Sequence, residues 1–86
     1  MNDVKKLMVI PGVGKSIAAD LLSIGIKEVS DLKGKNPEDL YNKSNRFAGV
    51  VQDRCLLYVF RCAVYYAEHT KYDSEKLKWW NWKDKK

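Results

Sequence analysis

Apolar residues in this chain recur at three- and four-residue intervals, and strict alternation is rare. That period belongs to helices with one buried stripe, not to half-buried strands. Val4, Leu7 and Met8 make an inward stripe over residues 3–9, with Lys5 and Lys6 turned to water. Ile17, Leu21 and Ile24, helped by Ala18 and Leu22, predict a second helix over 15–24. Val29 and Leu32 mark a short third one. Leu40, Tyr41, Ser44 and Phe47 share one face of a fourth helix, over 37–47. The longest and most apolar stretch is 53–69. At 100° per residue its Leu56, Val59, Phe60, Ala63, Val64 and Ala67 cover one broad side. The expectation is an all-α fold, a compact domain of about five helices, with the last helix as a central post against which the first two pack.

Helix punctuation agrees with the period. Gly25 and Gly49 stand where a left-handed residue ends a helix. Asn36-Pro37-Glu38-Asp39 is a strong start: a capping Asn, a Pro in the first turn, then acids facing the positive end of the dipole. Residues 1–70 form the helical body of a single domain spanning 1–86, and 71–86 form a basic tail that holds Trp79, Trp80 and Trp82.

The sharpest local signal is Ile10-Pro11-Gly12-Val13-Gly14-Lys15-Ser16. Two glycines around one apolar residue read as a tight reversal between two helices, because glycine accepts positive φ without a Cβ clash. They also leave main-chain N–H groups bare at a helix start, where unpaired donors and partial positive charge favour an anion. The stretch resembles the helix-hairpin-helix motif of DNA-binding and DNA-repair proteins: apolar-x-Gly-apolar-Gly, then a basic or small residue. That resemblance implies a SAM-like helical domain that holds a DNA phosphate without reading sequence. The phosphate would sit on Gly12, Val13, Gly14, Lys15 and Ser16, assisted by Lys5, Lys6 and the tail lysines. It also implies a monovalent cation, K+ or Na+, on the carbonyls of Met8, Ile10 and Val13. Pro11 has no N–H to give. Gly14-Lys15-Ser16 also matches the end of a phosphate-binding P-loop, but the first glycine of that motif would fall at Val9. A hairpin that only packs remains the plain alternative. Ala48-Gly49-Val50-Val51-Gln52 is a degenerate second hairpin without the second glycine or the lysine.

Charge sets a limit on this picture. The net charge is +5, yet residues 1–70 carry ten Lys/Arg against eight Asp/Glu, and residues 71–86 carry six against three. A body this close to neutral binds phosphate weakly, through few contacts. Arg54, Tyr58, Arg61 and Tyr65 alternate along the polar side of the last helix, a second candidate surface for nucleic acid or an acidic partner. The alternative is a solvated face. The three tryptophans suit base stacking or a partner surface, but in so short a chain they are better used folded back onto the last helix.

Catalysis has little to stand on: one histidine, His69, and paired acids at 38 and 39 that fit helix-start duty. No enzyme activity is expected. Cys55, Cys62 and His69 lie seven apart, about 10.5 Å of helix rise per step, too far for a disulfide or one metal ion. The cysteines read as small packed side chains in a reducing compartment. No signal peptide or membrane span is expected, since the run 55–67 is broken by Arg61 and too short for a bilayer.

Over roughly residues 5–84 the chain also resembles a family of small bacterial proteins, the pathogenicity-locus or helix-hairpin-helix-containing family. The residues that carry this are the run from Asp53 through Tyr66 and the terminal Trp79-Trp80-Asn81-Trp82-Lys83. Its hairpin half is similar to the C-terminal domain of TfoX-type competence regulators. The resemblance implies a helical fold and a bacterial cytoplasmic location. Two functions follow as expectations: a small non-sequence-specific module for double-stranded DNA, or a protein-interaction or self-association module.

Overall fold

The computed structural model describes residues 3–69 and 71–83, and among them there are helices and turns but no strand. Four α-helices, not five, make the body: α1 (Asp3–Leu7), α2 (Lys15–Ser23), α3 (Pro37–Ala48) and α4 (Arg54–Glu68). The short third helix is a 3-10 turn, Val29–Leu32. Eight residues lie between Gly25 and Gly34 and four of them make this turn, which Asp31 fixes by accepting from the N–H groups of Lys27 and Glu28 at 3.0 and 3.1 Å. Two more 3-10 turns, Ser74–Leu77 and Trp79–Trp82, fold the tail back. The expected fraying of the last four residues falls mostly on 84–86, outside the described residues.

The caps follow the sequence. Asn36 Oδ1 accepts from the N–H groups of Glu38 (2.8 Å) and Asp39 (3.4 Å) at the start of α3. Gly49 (φ +77°) ends that helix in the left-handed region. Asp53 Oδ1 accepts from Cys55 N–H at 2.9 Å and caps α4. Between α3 and α4 the chain is tied down by polar groups. The Tyr41 hydroxyl donates to the Gln52 carbonyl. Gln52 in turn donates its N–H to Asn45 Oδ1 (2.9 Å) and its amide to Ser44 Oγ (2.9 Å).

One core joins the four helices, the Val29–Leu32 turn and, through half-buried Trp79, the last turn of the tail. Leu7, Ile10, Leu21, Leu32, Leu57 and Phe60 are its largest fully buried members. α4 packs against α3, the Val29–Leu32 turn and both turns of the tail, while α2 packs on α1 and α3. The expected inward face of α4 is buried, with Leu57 and Cys62 added to it. Of the expected core residues, Val4, Ile17, Leu22, Ile24 and Val29 are half-buried at its edge, and two are exposed. Met8 is 43% exposed because α1 ends at Leu7 and the chain turns away. Phe47 is 71% exposed: α3 runs on to Ala48, and its last turn overhangs the core.

Candidate functional site

The bend between α1 and α2 is built by a Pro-Gly pair. Val13 N–H donates to the Ile10 carbonyl at 3.0 Å across Pro11 and Gly12, and Gly12 has φ +85°. That is a type II turn, with proline at its second position and a glycine required at its third. Val13 then points into the core at 5% exposure. The second glycine differs from the sequence expectation. Gly14 has φ −95° and ψ −172°, extended backbone open to any residue, and a Cβ there would meet nothing within 4 Å. It is the residue before α2, whose first internal bond runs from Ala18 N–H to the Gly14 carbonyl at 2.9 Å.

The start of α2 therefore differs from the starts of α3 and α4. No side chain caps it, whereas Asn36 caps α3 and Asp53 caps α4, and it lacks the first-turn acids of α3. Gly14, Lys15 and Ser16 are exposed, and among the described residues no acceptor meets their N–H groups. Lys5 and Lys6 are exposed on α1. The Ile10 carbonyl, one of the three expected cation ligands, is already engaged by the turn. The degenerate hairpin at 48–52 has no such opening, because Asp53 supplies its own carboxylate to the start of α4.

The tail packs against the other side of the bend, where Gly12 is still exposed. Trp79 rests on Gly12, so that a Cβ at Gly12 would lie 2.9 Å from Trp79 Cδ1. Cys62, fully buried on α4, places its sulfur 3.9 Å from the Pro11 carbonyl and 3.6 Å from that of Lys76. Burial pushes its thiol up to about 11. The Arg/Tyr stripe of α4 also serves the tail. Arg61 donates to the Trp82 carbonyl (2.7 Å) and reaches Glu38 (3.4 Å), with Tyr58 5.7 Å beneath its guanidinium. Tyr65 accepts from Asp73 N–H (2.9 Å) and packs near Trp82 and Lys76. Of the expected secondary surface Arg54 is exposed, and Tyr58, Arg61 and Tyr65 are half-buried.

Between the bend and the start of α4 lies a cleft of about 420 Å3, which sequence reasoning missed. Ile17, Leu56, Val59 and Trp79 form its apolar part, and Asp20 and Asp53 its charged part. Desolvation raises the Asp20 carboxyl above its ordinary range, whereas the Cys55 N–H holds that of Asp53 below it. The exposed Cys55 thiol is itself raised by its hydrogen bond to Asp53. Asp20 and Asp53 are 33 residues apart along the chain, and only the α2–α4 arrangement brings them together. Among the described residues no group of three or more His, Cys, Asp or Glu side chains is placed to hold a metal ion, and no helix is long and apolar enough to cross a membrane.

Comparison with known proteins extends this picture. The sequence model of the Cdd1 family, described as pathogenicity locus, matches residues 1–86, and the chain belongs to that family. It is 34% identical over 67 residues to the mitomycin resistance protein McrB of Streptomyces lavendulae. That match covers 78% of this chain and 64% of the relative, so the chain spans less than two thirds of the length of the curated relative it matches. No solved structure matches significantly.

Proposed function

We propose that this member of the pathogenicity-locus family is a small DNA-binding module of the helix-hairpin-helix type. It seats one backbone phosphate on the N–H groups of Gly14, Lys15 and Ser16 and does not read sequence. The observation that carries this reading is Gly14. Neither backbone angle nor space demands glycine there. A serine, aspartate or asparagine would cap α2 as well or better. What a bare Cα provides is access: an anion can approach three donors at the positive end of a nine-residue helix, with the Lys15 charge beside it. Lys5 and Lys6 extend the positive surface, and the lysines of the tail assist. Trp79 packs on Gly12 at the other side of the bend.

Few phosphates are neutralised in this arrangement, so affinity is low and its salt dependence shallow, with a log–log slope of roughly −1 to −3. Binding of a fluorescent mixed-sequence duplex at low salt tests the reading. Wild type binds with that slope, and Lys15→Ala combined with Gly14→Val loses binding. Absence of binding at low salt, or an unaffected double variant, contradicts it.

One observation favours a second reading, a module that binds protein. Phe47, Val50 and Val51 are 71, 63 and 85% exposed around the turn from α3 to α4. The tryptophans and the Arg/Tyr stripe, the surfaces expected for such a role, are mostly spent on the tail. Any self-association then passes through Phe47 and Val51, and Phe47→Ser with Val51→Ser abolishes it in a sedimentation measurement.

A further inference from the structure

We propose that the cleft bounded by α2, the start of α4 and Trp79 is a binding site for a small planar organic cation, such as an aromatic amidine or a protonated aromatic amine. This goes beyond DNA binding and uses the opposite side of the bend. The volume, about 420 Å3, lies in the range of small-ligand pockets. Its character is mixed in a specific way. Ile17, Leu56 and Val59 offer an apolar wall for a flat ring, and Trp79 offers an aromatic one. Indole is the best side-chain partner for a cation over its face.

The charged groups that line the cleft are both acids, Asp20 and Asp53, with no Lys, Arg or His among the lining residues. Asp53 is partly satisfied by the Cys55 N–H at 2.9 Å. Asp20 is not. It is half-buried, and no hydrogen bond or ion pair reaches its carboxylate among the described residues. A carboxylate drawn out of water beside apolar neighbours is stabilised by any cation that fits, since desolvation strengthens the pairing. Anions meet the same two carboxylates, although the Lys83 charge is felt at Cys55, and a neutral ring gains the apolar wall alone. Cys55 does not turn the cleft into a nucleophilic site, because its S–H donates to Asp53 and stays protonated.

Lys15 and Asp20 are five residues apart on α2, about 140° around the helix. The cation cleft and the phosphate seat therefore face different ways and are separable by mutation.

The test is an NMR titration of the full 15N-labelled chain with benzamidinium, with neutral benzamide as its isostere. Benzamidinium shifts the amides of Gly12, Ile17, Asp20 and Asp53–Leu56 and the Trp79 indole N–H, saturating in the millimolar range expected of a fragment. Benzamide binds about tenfold more weakly, the equivalent of one charge-assisted contact. Asp20→Asn removes that advantage. Asp53→Asn, which keeps a capping oxygen for α4, reduces it independently should the first variant fold poorly. Equal affinity for the two probes, an unchanged preference in both variants, shifts mapping elsewhere, or no saturable binding of either probe overturns the proposal.

Discussion

Trp79 closes over Gly12 so tightly that a β-carbon on the glycine would sit 2.9 Å from the indole Cδ1. The first glycine of the bend is thus fixed twice, by its φ of +85° and by the ring above it. Gly12→Ala pays about 1–2 kcal/mol for the left-handed backbone, and displacement of the ring adds to this. Gly14→Ala, at an extended and open position, stays within about 0.5 kcal/mol of wild type, because the loss of unfolded-state entropy offsets a poorer cap. Urea unfolding of the two variants checks the contrast. Equal costs would mean that the two glycines are equivalent.

Trp79→Ala removes the partly buried ring that joins the tail to the bend. The expected loss is roughly 2 kcal/mol, below the 3–5 of a fully buried tryptophan. The double variant with Gly12→Ala is less destabilised than the sum of the two, since the clash goes with the ring. A full double-mutant cycle by chemical denaturation measures this, and strict additivity would refute the contact.

Cys62 gives a signature at high pH. Its thiol is held up to about 11 in the folded protein, against an ordinary value of 9.0. The folded state therefore keeps a proton that the unfolded state has lost. The stabilisation is complete below pH 9 and disappears as pH rises toward 11, at most about 1.4 kcal/mol per pH unit. Cys62→Ala, which cannot titrate, shows a flatter stability profile over that window. Parallel profiles for the two proteins would contradict the assignment.

Along α3, Leu40 and Phe47 share a stripe in sequence but not an environment. Leu40 is 2% exposed and Phe47 is 71% exposed. Leu40→Ala costs about 2–5 kcal/mol, whereas Phe47→Ser stays within about 0.5 kcal/mol. Thermal unfolding of the pair tests whether the last turn of α3 overhangs the core.

These residues show what could be read from sequence. Helix positions were legible because their causes are local: the three- to four-residue period of α4, the Asn36 cap, the Gly25 and Gly49 stops. Phe47 and Met8 misled because periodicity assigns a side but not where the core runs out along that side. Gly14 misled in another way. A second glycine suggests a second positive φ, yet one Pro-Gly turn completes the reversal and leaves Gly14 extended. The family-like pattern of 53–66 and 79–83 was legible, but the reason for it was not. Arg61, Tyr65 and Cys62 on α4 hold the tail and the bend together, and contacts across 14 to 51 residues leave no trace in local spacing. The Asp20–Asp53 cleft was hidden for the same reason.

Gly14→Asp separates fold from function most directly. A carboxylate at that position caps α2 and faces the positive end of its dipole, so the protein is as stable as wild type or more stable by up to about 1 kcal/mol. The same carboxylate occupies the donors assigned to the phosphate, so duplex affinity at low salt falls by about tenfold or more. Unchanged affinity in a fully folded Gly14→Asp protein would contradict the phosphate seat.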